Sequence, residues 1–80
     1  MFTPARTRVY RELLRLEETG IATSAEGWIQ LGQEELAMLT GTTRATVNRA
    51  LRDAERAELI RLARGKTQIV NRPALQRLAR

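Results

Sequence analysis

Residues 33–51 read QEELAMLTGTTRATVNRAL, and the rest of the chain is organised around this stretch. Leu36 and Leu39 stand at helical spacing, Gly41 interrupts where the chain must turn sharply, and Thr42-Thr43 offers a hydroxyl to cap a second helix. In that second helix Val47, Ala50, Leu51 and Ala54 form one stripe at i, i+3, i+4 and i+7, which turns Ala45, Arg49, Arg52 and Arg56 the other way. The small Ala37 suits a tight helix crossing, where two backbones come close. The pattern is a helix-turn-helix over residues 33–57, with one face for a core and the other for a polyanion, most commonly double-stranded DNA.

Downstream, Leu59-Ile60-Arg61-Leu62-Ala63 and Thr67-Gln68-Ile69-Val70 are strand-like runs joined by Arg64-Gly65-Lys66. They predict a hairpin with a basic tip, a wing over residues 60–70. Asn71 is positioned to cap a last short helix with Pro73 in its first turn and Leu75 and Leu78 on its inner face. Upstream, Thr3-Pro4 opens a first helix, the hydroxyl as cap and proline at the first helical position. Val9, Leu13 and Leu16 form its buried stripe, Gly20 stops it, and Ile21 is expected to pack back on its last turn. Arg6, Arg8, Arg11 and Arg15 read as its wet side, paired with Glu12 and other carboxylates, with Arg8 a candidate anchor for another domain.

Between these, Ala22 to Gly27 is a small, polar loop, and Trp28-Ile29-Gln30-Leu31 alternates like a short strand with Ile29 and Leu31 inward. Trp28 is either a stacking platform for bases or packing at the rim of the core. Gly32 stands at the cap of the next helix without a side-chain oxygen, and Glu35 three residues on supplies half of a capping box. The order helix, strand, helix-turn-helix, hairpin is that of a winged helix. The expected fold class is mainly α with a small β component: a three-helix core, a β-hairpin wing and a short C-terminal helix.

Eighty residues suffice for one small domain with one core, expected to span 1–80. The sequence has no cysteine and no histidine, which excludes disulfides, thiolate or imidazole metal sites, and Ser-His or Cys-His catalysis. Neither an enzyme nor a cofactor is expected. No apolar run approaches the roughly 20 residues of a membrane span, and no signal-peptide core opens the chain, so an intracellular, cytoplasmic protein without a membrane partner is expected. Charge is divided unevenly. Residues 1–41 carry four bases against six acids, net −2, whereas residues 42–80 carry ten against three, net +7. All bases but Lys66 are arginine, whose planar fork suits bidentate contact with guanine edges and phosphates. The plainer reading is a solvated surface laced by local ion pairs through Asp53 and Glu55, and it is the one adopted for Arg56.

From Arg8 to Leu78 the chain resembles the C-terminal DNA-binding domain of the Crp/Fnr superfamily of bacterial transcription regulators. The resemblance rests on RVYRELLRL in the first helix, QEELAMLTGTTRATVNRAL, LIRLARGK at the wing and NRPALQRLA at the end. A GntR-like winged helix is similar through TTRATVNRAL but usually carries a different glycine-rich wing. The family motif R-E-[TS]-V-x-R falls on Arg44, Ala45, Thr46, Val47, Asn48 and Arg49, and its arginines and glutamate read base edges in relatives. Ala45 stands where the glutamate would, and a methyl can touch only a thymine methyl. Threonine or serine, usual at the cap occupied by Gly32, is absent.

Taken with the outward face of the second helix and the basic hairpin, the resemblance points to base reading by Arg44, Ala45, Asn48 and Arg49, and phosphate contacts from Thr42, Thr43, Arg52, Arg64 and Lys66. It further implies RNA polymerase as a partner and a parent protein that dimerises through a sensor domain. No stretch here resembles that sensor or its long dimerisation helix, so the 80-residue chain, whether excised or naturally short, is expected to be monomeric. The rival from another class is a winged helix that meets an acidic protein.

Overall fold

The computed structural model describes residues 3–80. The element order is α1 (Ala5–Thr19), β1 (Trp28–Ile29), α2 (Gln33–Thr40), α3 (Arg44–Arg56), β2 (Ile60–Ala63), β3 (Lys66–Ile69) and α4 (Arg72–Leu78). This is a winged helix-turn-helix.

Helix α1 is the floor on which the other helices rest. Its apolar residues recur at three- and four-residue intervals, so Val9, Leu13 and Leu16 are buried as expected. Tyr10 joins them at 1% exposure, because its ring enters the core while its hydroxyl donates 2.6 Å to the Ala50 carbonyl of α3. Thr3 does not cap this helix. Pro4 occupies the N-cap in an extended conformation (ψ 145), which starts the helix at Ala5 and leaves Thr3 one position too early to reach the free amides. At the other end Gly20 stops α1 as expected, but Ile21 faces solvent. Thr23 takes its place, its hydroxyl donating to the Leu16 carbonyl at 3.0 Å.

Two arginines of α1 do more than wet its surface. Arg8 Nε donates to the Thr40 carbonyl at 3.0 Å, and Arg11 Nε to the Ala79 carbonyl at 2.7 Å, so each supplies a cation to a helix C-terminus. Arg6 pairs with Asp53, and Arg15 pairs with Glu12 within α1. Arg72 of α4 meets Glu17, so α4 runs antiparallel to α1 with its end at Arg11.

In α2 the buried residues are Leu36, Ala37 and Thr40, a face from which Leu39 is turned away. At 100° per residue Leu39 lies about 110° from the centre of that face, and it is 53% exposed. Thr40 is accommodated because its hydroxyl donates to the Leu36 carbonyl at 2.7 Å. The turn is made by Gly41 at φ 69, a left-handed conformation that glycine adopts without a Cβ clash. The N–H groups of Gly41 and Thr42 both close on the Ala37 carbonyl, and Ala37 itself is buried.

Thr43 Oγ1 then accepts from Thr46 N at 3.1 Å, starting α3, and Val47, Ala50, Leu51 and Ala54 are all buried. Glu58, in the left-handed region at φ 62, ends that helix, and Leu59 N donates back to the Ala54 carbonyl. The sheet is antiparallel in the order β1-β3-β2, with Trp28 opposite Gln68 and Ile60 opposite Ile69. Ile29, Ile60 and Thr67 face inward, as Ile29 was expected to, and Leu31 is partly buried against the core. The hairpin turn is Arg64-Gly65 alone, since Lys66 already belongs to β3. Asn71 caps α4 through Oδ1, and Leu75 is buried. Leu78 is instead 48% exposed, because the helix ends there and Ala79 is the residue that tucks beside Arg11.

Candidate nucleic-acid interface

The solvent face of α3 begins at Thr43 and carries Arg44, Ala45, Asn48, Arg49 and Arg52, all exposed. It faces outward because the buried stripe of the same helix lies on the opposite side. The carboxylates of this helix sit in its C-terminal half. Asp53 takes both Arg6 and Arg56, and Glu55 takes Arg52 at 3.1 Å. Arg44 and Arg49, nearer the N-terminus, have no carboxylate partner among the described residues, so positive charge is concentrated where the helix dipole is also positive.

Between the start of α2, the side of α3 and the hairpin lies a groove of about 550 Å³. It brings together Arg44, Arg52, Arg64 and Lys66, with Glu34 and Glu35 on its α2 side. Glu35 is partly spent there, its Oε1 accepting 2.7 Å from the Gly32 amide, which is the half capping box. A second, shallower depression of about 510 Å³ adjoins it, lined by Gln33, Arg44, Ala45, Asn48 and Arg52. Arg49, Thr42 and Thr43 line neither.

The candidate residues are therefore not equally free. Thr43 both accepts from Thr46 N and donates to Thr46 Oγ1 at 3.0 Å, so its hydroxyl is committed to the cap, and Thr42 is half-buried. The Lys66 ammonium sits 4.7 Å from the centre of the Trp28 ring, a cation–π contact. Trp28 is thereby half-buried on the outer face of the sheet, with Gln68 opposite it. Arg64, at the turn itself, is exposed and has no carboxylate partner among the described residues. Gln33 was not anticipated. Its Nε2 donates 2.9 Å to Asn48 Oδ1, across the helix-turn-helix. Nothing in sequence spacing marks that pair, since it depends on how α2 and α3 cross.

A family model described as a Crp-like helix-turn-helix domain matches residues 7–78. The chain belongs to that family. Among similar solved structures is the catabolite activator protein of Thermus thermophilus, with a TM-score of 0.82 and 33% identity over 94% of this chain and 33% of that one. A transcriptional regulator of the CRP/FNR family from Thermus thermophilus gives 0.84 and 32%, covering 96% of this chain and 41% of its own. A CRP-family regulator from the same organism gives 0.83 and 31%, covering 98% and 41%. No curated protein matches the sequence. The Crp-like domain described here thus spans 33% to 41% of the length of these relatives. It is a DNA-binding regulatory domain by family, and no helix among the described residues is long and apolar enough to cross a membrane.

Proposed function

We propose that the chain is the sequence-reading part of a Crp/Fnr-like transcription regulator, with α3 in the major groove of double-stranded DNA and the β2–β3 wing on the phosphate backbone. The observation that carries this reading is the pair of unneutralised arginines, Arg44 and Arg49, on the outward N-terminal half of a helix whose other charges are locally paired. In helix-turn-helix proteins that half is the one that reaches base edges. Arg44, Arg49, Asn48 and the Ala45 methyl are the base readers. Arg52 and Arg64 bind phosphate through their guanidinium groups, Arg52 by exchanging Glu55 for the stronger anion, with Lys66 and Thr42 alongside and Thr43 through its backbone N–H, its hydroxyl being held in the cap.

Residues 1–80 act as one domain in this reading, without a catalytic role. The parent protein is a cytoplasmic homodimer that places two such domains about 34 Å apart on a near-palindrome and contacts RNA polymerase. The test is duplex affinity of the 80-residue chain across a salt series. Log affinity is expected to fall linearly with log salt, by about 0.9 for each phosphate neutralised. A winged helix devoted to protein contact would have no duplex affinity at low salt, and that result would overturn the proposal.

A further inference from the structure

Asn48 lies on the exposed face of α3, five residues into the helix, and its amide oxygen has a side-chain partner on α2. Gln33, the first residue of α2, reaches across and donates its Nε2–H to Asn48 Oδ1 at 2.9 Å. An asparagine amide carries an acceptor on one side and two donors on the other, so an unrestrained Asn can present either to a base. Here the acceptor side is engaged, and the Asn48 NH2 donates to no group among the described residues. The flanking side chains reinforce this polarity. Arg44 and Arg52, one turn to either side, can only donate, and Ala45 offers only a methyl. Ala45 also keeps the depression around the pair open, so a partner can reach the Asn48 NH2 directly.

We propose that Gln33 is a positioning residue for base selection: it holds Asn48 so that the NH2 faces the major groove and selects a base edge offering an acceptor there. The proposal rests on α3 reading DNA. Guanine offers N7 and O6, adenine N7 and thymine O4, while cytosine offers only its N4 donor and is rejected. In free solution the Gln33–Asn48 bond contributes little, since water competes for both amides. Once docking excludes water, turning the amide would strand a desolvated donor or acceptor, and the preference becomes costly to break.

Site selection from randomised duplexes with the 80-residue chain tests this at low salt, using wild type, Asn48→Ala, Gln33→Ala and Gln33→Glu. Both amides are at the surface, so thermal melts of the variants should match wild type. Asn48→Ala identifies the position Asn48 reads, by loss of preference there. Gln33→Ala is expected to relax discrimination against cytosine at that same position by about 2- to 12-fold, the worth of one hydrogen bond, and to leave other positions unchanged. Gln33→Glu offers only acceptors, which turns the Asn48 amide and shifts the ranking there toward cytosine N4 or adenine N6. Its added charge weakens binding to every sequence, so the ranking is the readout. If Asn48→Ala alters a position that neither Gln33 variant affects, or alters none, the inference is overturned while DNA reading stands. If wild type selects no sequence at all, the proposed function itself fails.

Discussion

Tyr10→Phe removes one oxygen atom and tests how α1 holds the recognition helix. The Tyr10 hydroxyl is buried and donates to the Ala50 carbonyl at 2.6 Å, a side-chain bond from the α1 core stripe to the middle of α3. Ala50 lies inside Arg44–Arg56, so its carbonyl also accepts the helical N–H four residues on and is not orphaned by the substitution. The ring stays in place and its packing is kept. The loss is then the net worth of one satisfied hydrogen bond, about 1 kcal/mol, rather than the 3–5 kcal/mol of deleting the aromatic side chain. In a domain of this size that corresponds to a fall in Tm of about 4–8 °C.

Paired urea and thermal melts followed by circular dichroism give the value, with the urea m-value unchanged because the surface exposed on unfolding is the same. A loss below about 0.3 kcal/mol would mean that the hydroxyl finds an equal partner in water, and a loss above about 3 kcal/mol that it organises the core. Either would refute the reasoning. The same group gives a pH test. Burial pushes the Tyr10 pKa above its ordinary 10.0, so the folded chain resists ionisation that the unfolded chain accepts. This stability is present below pH 10.0 and is lost as pH rises through the raised folded value; Tyr10→Phe should abolish the loss.

Leu51→Ala should cost about 2–5 kcal/mol in the same melts, since Leu51 is 2% exposed; a loss under about 1 kcal/mol would mean that α3 is not packed through this face. Arg49→Ala should weaken binding to a selected duplex by about 1–3 kcal/mol and relax preference at one base pair, whereas Arg64→Ala should weaken all duplexes alike and lower the salt slope by about one. Equal, sequence-independent losses would contradict that division, which fluorescence titration of selected and scrambled duplexes resolves. Sedimentation at micromolar concentration should find the 80-residue chain monomeric, with weak binding to one half-site and no gain from a second at fixed spacing; a stable dimer would refute this.

The α3 stripe was legible because four apolar residues at helical spacing leave one solution, and the same holds for Val9, Leu13 and Leu16 in α1. Short elements were less determinate. In α2, with eight residues, Leu36 is compatible with an inward neighbour at either Ala37 and Thr40 or Leu39, and only the packing of α2 against α1 and α3 decides for the former. Leu78 failed for a related reason, standing in the last turn, where little remains to pack against. Tyr10 was missed because its partner, the Ala50 carbonyl, is backbone and invisible in a side-chain pattern. With Tyr10 buried and the neighbouring Leu14 packed partly against the core, that side of α1 is committed to the fold.

At the candidate interface, residue type identified the arginines, and geometry sorted them. Arg52 and Arg56 share the same helix face as Arg49 in a helical projection, yet carboxylates three residues away occupy the first two and, among the described residues, none reaches Arg49. Lys66 read as a hairpin-tip base because Gly65 precedes it; the two-residue turn moves it into β3, where the Trp28 ring meets its ammonium. The Gln33–Asn48 pair required the crossing of α2 on α3, which no local pattern encodes.

The surface that meets DNA is open to direct observation by amide NMR of the 80-residue chain titrated with duplex DNA. The account predicts that the largest shifts fall on residues 43–49 and on the hairpin turn at Arg64-Gly65, with smaller ones at the start of α2. Shifts confined to α4, or to the sheet face that carries Trp28 and Gln68, with residues 43–49 unmoved, would contradict it.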